Sequence, residues 1–181
     1  MLSPQVVDDL KAFDWQKIID LCSSFGDLNG EQWRFLKGLC IELTAEKYST
    51  GLVYVGEKHR DYDWPRHNIS VEMKSITSAP LYGKRGKLRK NIGIILNNSM
   101  GTNKDKLDPD NVADVLICVC QNGAFVVSKS FILEKSVYYG DGWKINVNRD
   151  DMIEITGQLT GTPNTSIQIK QAVMQAIKSV I

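Results

Sequence analysis

Two acids and a lysine in one short stretch are the residues of this chain best placed to do chemistry. Asp61, Glu72 and Lys74 fall within the run GEKHRDYDWPRHNISVEMKS, which extends from Gly56 to Ser75. Ile69 to Ser75 alternates strictly, with Ile69, Val71 and Met73 on one side and Ser70, Glu72 and Lys74 on the other. That is the period of a half-buried strand. Asp61 to Trp64 reads as a shorter strand, and Pro65-Arg66-His67-Asn68 as the turn between them. With that turn, Trp64 faces Ile69 and Asp61 falls opposite Glu72. Facing Cβ atoms in such a pair stand roughly 5 Å apart. Two carboxylates so close repel unless a cation sits between them, and hard oxygen ligands at this spacing suit Mg²⁺. Asp63 shares the strand face of Asp61, and a one-step change in turn length would bring it opposite Glu72 instead.

The elements that must position this hairpin can be read around it. Ser3-Pro4 is a helix start, a hydroxyl cap before Pro at the first helical position. Apolar residues continue that helical region to about Cys22, with a break near Phe13-Asp14. Glu31 to Lys47 is a second helix, with Trp33, Leu36, Leu39, Cys40 and Leu43 at helical spacing, and Gly51 stops it. Leu52 to Val55 is a strand leading into the hairpin. After the apolar run Ile92 to Leu96 and a polar stretch, Val112 to Cys120 is a continuous apolar run, which suits a central strand covered on both faces. Asn122-Gly123 signals a hairpin into the strand Ala124 to Ser128. Lys144 to Val147 and Met152 to Ile155 read as further strands. A last helix is expected within residues 165–181, from Ile167 to Val180. The expectation is one domain of α/β class: a helical part over 1–50, a sheet over 51–160, and a central mixed β-sheet flanked by helices.

The segment from Ser78 to Asn91 contains Lys84, Arg85, Lys87, Arg89 and Lys90, with glycines at 83 and 86 and no acid. Phosphate contacts need such charge, and glycine lets a backbone approach closely. Composition is otherwise ordinary, 43% apolar with net charge +1, which excludes long disorder and a polybasic protein. Cys22, Cys40, Cys118 and Cys120 form no CxxC pair and read as buried free thiols in a reducing, cytoplasmic compartment. No stretch is long and apolar enough to be a membrane span, and no membrane partner is expected.

The order acid, short gap, Glu-x-Lys on a hairpin resembles the PD-(D/E)xK nucleases, and more narrowly the PvuII-like type II restriction endonucleases. Glu57, Asp61 and the block Glu72-Met73-Lys74-Ser75 carry the resemblance. Arg60 stands where the family label has Pro. The resemblance implies a restriction-endonuclease-like fold and Mg²⁺-dependent hydrolysis of double-stranded DNA, giving 5′-phosphate ends. It implies Asp61 and Glu72 as metal ligands, with Asp63 as the alternative to Asp61. Lys74 would orient or deprotonate the attacking water and stabilise developing charge, and Glu57 would assist. The basic segment from Lys84 to Lys90 would contact the DNA backbone. In that fold a helix before the hairpin often lends a carboxylate, and of Glu31, Glu42 and Glu46 the candidate is Glu31. A homodimer on a palindrome and a companion methyltransferase are also implied. The His-rich segment that follows Glu-x-Lys in the PvuII type is absent, so no base contacts carry over. A repair nuclease, resolvase or nicking enzyme of the same fold is the alternative, and beyond that a non-catalytic DNA-binding domain.

Other features are set aside. Asp9-Leu10-Lys11 is a second acid-x-Lys triplet, but on a helix whose polar face expects solvent. His67 reads as a turn residue rather than a metal ligand, and the glycines at 83 and 86 lack the pattern of a P-loop.

Overall fold

The computed structural model describes residues 2–24, 31–57, 60–76, 79–96, 107–139, 142–159 and 178. Helix α1 (Pro4–Lys11) begins as its sequence demands, with the Ser3 hydroxyl accepting the Val6 N–H and Pro4 where no donor is needed. The chain breaks around Phe13-Asp14 and resumes as α2 (Trp15–Ser24). Helix α3 (Glu31–Tyr48) follows, and Gly51, at φ +83°, turns the chain into the sheet. Then come β1 (Val53–Glu57), β2 (Arg60–Trp64), β3 (Ile69–Ile76), β4 (Asn91–Ile95), β5 (Val115–Cys120) and β6 (Gly123–Ser128). Helix α4 (Lys129–Lys135), β7 (Val137–Tyr139), β8 (Gly142–Asn148) and β9 (Ile153–Glu154) complete the described elements. The expected C-terminal helix lies outside the described residues, Lys178 excepted.

The α/β class holds, but the strands divide between two sheets. One is six-stranded and mixed, in the order β1-β2-β3-β5-β6-β9. The meander β1-β2-β3 is antiparallel, β3 and β5 are parallel, and β5-β6-β9 is antiparallel again. The other is three-stranded, β4-β8-β7. It joins the run Ile92 to Leu96 to the strand around Lys144 to Val147, through pairs such as Ile94↔Ile145.

Strand alternation explains the layers. On β5, Val115, Ile117 and Val119 turn to one core, which also holds Leu10, Ile18, Ile41, Tyr62, Trp64, Val71 and Met73. Leu116, Cys118 and Cys120 turn to a second core with Ile92, Ile94, Trp143, Ile145, Val147 and Ile132. The helices α1 to α3 therefore cover one face of the large sheet, while the small sheet and α4 cover part of the other. No residue of β1 or β2 belongs to that second core. Cys118 and Cys120, neither in a disulfide, are buried in it, on one strand face as expected.

Asp9 does not face solvent, as its position on an amphipathic helix suggested. Its Oδ2 lies 3.0 Å from Arg66 Nη1 and 2.7 Å from His67 Nε2, which fastens α1 to the turn between β2 and β3. His67 also meets Trp64 edge-on, with 4.5 Å between ring centroids. The layering makes core and edge positions unequal. Ile117→Ala empties space between α2 and the sheet and should cost about 2 to 5 kcal/mol in urea unfolding. Val53→Ala, on the exposed side of β1, should stay within about 0.5 kcal/mol of wild type.

Candidate functional site

The site grows from the β2–β3 ladder. Pairs Trp64↔Ile69, Asp63↔Ser70 and Tyr62↔Val71 set the register, and the ladder ends there, one step before Asp61 and Glu72. Apolar alternation fixes the facing, because Tyr62, Trp64, Val71 and Met73 fill the helix-side core. Asp61, Asp63, Ser70, Glu72 and Lys74 alternate with those residues and belong to neither apolar core. Asp61 Oδ2 accepts the Met73 N–H at 2.6 Å. Lys74 Nζ lies 2.8 Å from Glu72 Oε1, and Glu72 is only 5% exposed.

Asp61 is the electrostatic centre of the group. Burial pushes its carboxyl up from 3.8 to about 7, the Met73 N–H opposes this, and the charges of Glu42 and Glu72 add to the rise while Lys74 counters it. Lys74 is held above its usual range: burial alone would lower it, and the Glu72 carboxylate, with help from Asp61 and Glu42, more than compensates. The lysine at the site is thus an ammonium, fixed between acids.

The structure places the other expected residues differently from one another. Asp63 sits opposite Ser70, not Glu72, and its Oδ1 lies 3.3 Å from Arg60 Nε, near enough for ion pairing but not aligned as a hydrogen bond. Glu57 is exposed and pairs with Arg60 Nη2 at 2.9 Å, while lining the same cleft as Asp61. The side chain of Glu31 lies outside the described residues, as does His59. Among the described residues, the helix carboxylate beside the site is that of Glu42, which lines a cleft of about 390 Å³ with Gly38, Leu39, Tyr54, Gly56, Glu57 and Asp61. Burial raises the Glu42 carboxyl, and its charge is felt by both Asp61 and Lys74.

Lys84, Arg85 and Lys87 lie on a tight loop closed by the Tyr82↔Leu88 bridge, Arg89 and Lys90 follow that bridge on the way to β4, and all five are exposed. Arg85 at φ +69° and Gly86 at φ +67° shape its tip. The loop is anchored where β5 turns into β6: Asn122 Oδ1 accepts the Tyr82 N–H at 3.1 Å, and Asn122 Nδ2 donates to the Tyr82 carbonyl at 3.0 Å. Ile76, two residues after Lys74, pairs with Cys120 beside that turn, so the cations stand at the sheet end nearest Lys74.

Among the described residues no three His, Cys, Asp or Glu side chains gather closely enough to cage a metal ion. The site offers Asp61 and Glu72, each with one carboxylate oxygen not taken by the contacts above, and an Asp61 carboxyl that needs a counter-charge to ionise readily. That donor set fits Mg²⁺, which keeps most of its waters and binds through one or two carboxylates.

The raised Asp61 carboxyl has a consequence for stability. Its folded value exceeds its unfolded one, so its contribution is complete below pH 3.8 and is lost as pH rises toward about 7. Lys74, also raised, changes only above 10.5 and leaves this window untouched. Asp61→Asn keeps an acceptor for the Met73 N–H but cannot ionise. In metal-free buffer the variant should match wild type near pH 4 and exceed it at pH 8 by about 2 to 4 kcal/mol, read by urea unfolding at both pH values.

No family model, curated protein or solved structure matches this chain.

Proposed function

We propose that the chain is a Mg²⁺-dependent deoxyribonuclease with a PD-(D/E)xK site on a restriction-endonuclease-like fold, and specifically a type II restriction endonuclease that cuts double-stranded DNA. The observation that carries the reading is the grouping of Asp61, Glu72 and Lys74 on the paired strands β2 and β3, in a molecule whose exposed basic segment is anchored at the turn between β5 and β6. Asp61 and Glu72 would hold the cation, with Asp61 preferred over Asp63 because Asp63 faces Ser70 and is engaged by Arg60. A bound Mg²⁺ supplies Lewis acidity at a phosphate oxygen and lowers the pKa of its water. The protein's own groups do the rest. Lys74, held as an ammonium by Glu72, has no lone pair to take a proton. Its role is therefore a fixed positive charge beside the phosphate, stabilising charge that develops in the transition state. Glu72, buried, and Asp61, part-buried and tied to the Met73 N–H, keep their oxygens in place without loss of entropy during reaction. Lys84, Arg85, Lys87, Arg89 and Lys90 would contact phosphates along the duplex. Cleavage of both strands at a palindrome would need a homodimer.

The test is incubation of the purified chain with phage DNA in Mg²⁺ or EDTA. Discrete fragments only in Mg²⁺ are the expected result. Lys74→Ala should lower the rate by at least about 100-fold while leaving DNA binding near wild type. Nicking or smearing would move the protein to a repair nuclease or resolvase, and no cleavage on any DNA would remove the nuclease reading. Replacing Lys84, Arg85 and Lys87 by Ala should weaken DNA binding, and should flatten the plot of log K against log salt by about 0.9 for each phosphate no longer neutralised.

A further inference from the structure

Tyr54 contributes nothing to the acid-x-Lys pattern, yet the helix beside the site is built around it. Glu42 and Glu46 lie one turn apart on α3, and both reach this residue. Glu46 Oε1 accepts the Tyr54 backbone N–H at 2.9 Å, on the edge strand β1. Glu42 Oε2 accepts the Tyr54 phenol at 3.4 Å. The cross-strand neighbour Tyr62 donates its own hydroxyl to the Glu42 carbonyl at 2.7 Å. Facing tyrosines thus hold Glu42 by both its main chain and its side chain, with their rings edge-on at 5.8 Å between centroids. Gly56 leaves the phenol its room: a Cβ there would lie 3.0 Å from Tyr54 Oη, and the backbone φ of +63° suits glycine.

We propose that Tyr54 is a positioning residue, whose phenol keeps the Glu42 carboxylate turned into the cleft beside Asp61 as a further acidic wall of the cation site. The inference rests on the reading of Asp61 and Glu72 as cation ligands. Electrostatics supplies the need for it. Glu42 lines the cleft with Asp61 and feels the Glu72 charge, and like charges so placed favour turning a carboxylate out into water. A neutral O–H donor opposes that swing without neutralising the carboxylate, as a lysine or arginine would. The contact of 3.4 Å is long for O–H···O, and such contacts tighten when a ligand arrives. Glu46 fixes the strand, the strand fixes the ring, and the ring fixes Glu42.

Wild type, Tyr54→Phe, Tyr62→Phe, Glu42→Gln and the double variant Tyr54→Phe/Glu42→Gln would be compared. Mg²⁺ would be titrated calorimetrically without DNA, beside thermal melts and DNA cleavage. Tyr54→Phe should melt close to wild type but bind Mg²⁺ about 10-fold more weakly, the usual cost of losing a group that orients a ligand. Its cleavage should show a lower kcat with KM for DNA unchanged. Glu42→Gln should show a similar loss, with no further loss in the double variant. Tyr62→Phe should lower Tm and leave Mg²⁺ affinity alone, because it holds only a helix carbonyl. Equal Mg²⁺ affinity of Tyr54→Phe and wild type, or losses that multiply in the double variant, would overturn the proposal. Wild type that binds Mg²⁺ with these dependences but cuts no DNA would keep the positioning role and remove the nuclease reading. Wild type that neither binds Mg²⁺ nor cuts would remove both.

Discussion

A slip of β3 by one residue against β2 would turn Glu72 and Lys74 into the apolar layer under the helices and expose Val71 and Met73. Every other feature of the site depends on that slip not occurring. Several contacts prevent it together. Trp64 and Tyr62 are fully buried against the helices. Ser70 donates its N–H and its hydroxyl to Asp114 Oδ2, both at 2.9 Å, and its Oγ accepts the Asp114 N–H at 3.0 Å. That reciprocal pair pins the start of β3 to the start of β5, from which the parallel ladder Val71↔Val115 to Ile76↔Cys120 continues. The turn between β2 and β3 is held from outside by Asp9 of α1. The register of the chemically rich strand is therefore enforced at both ends and on both sides.

The same register creates an electrostatic cost. It places the carboxylates of Asp61 and Glu72 together in a poorly solvated place, with Glu42 nearby. One lysine offsets part of the repulsion, and its own ion pair with Glu72 keeps it charged. Burying like charges is costly unless something compensates them, and proteins retain such arrangements where function uses them. A divalent cation would relieve the tension, lowering the Asp61 carboxyl and engaging the free oxygens. The proposed Mg²⁺ chemistry and the pH dependence expected from the raised Asp61 carboxyl are two aspects of one arrangement.

The layers explain why this tension has an outlet. Helices close one face of the large sheet from β1 to β6, whereas the small sheet covers the other face only at β3, β5 and β6. The polar residues of β2 thus stay out of the second core, with Asp61 on the cleft that α3 lines through Glu42, and the loop bearing Lys84 to Lys87 is fastened at the turn between β5 and β6 through Tyr82 and Asn122.

Local pattern carried much of this. The alternation of Ile69 to Ser75, the Pro65 to Asn68 turn, the Ser3-Pro4 cap and the doubly buried β5 are each properties of neighbouring residues, and the structure shows them all. Even α4, which the strand reading of Ala124 to Ser128 passed over, had a local signal: Ser128 is its cap and accepts the Phe131 N–H. Other features were decided only by the tertiary structure. Glu31, Glu42 and Glu46 ride one helix, and which of them meets the site depends on how α3 is rotated against β1 and β2, which no spacing within the helix encodes. Tyr54 became relevant only when Glu42 and Glu46 were brought across to β1. The pairing of β4 with β8 joins segments remote in the chain, chosen because Ile92, Ile94, Ile145 and Val147 together can close the second core. The sequence by itself determined where strands, turns and the acid-x-Lys grouping lie, because those follow from nearest-neighbour geometry. The tertiary structure alone decided which distant carboxylate joins them and which sheet face stays open, because those follow from the packing of whole elements.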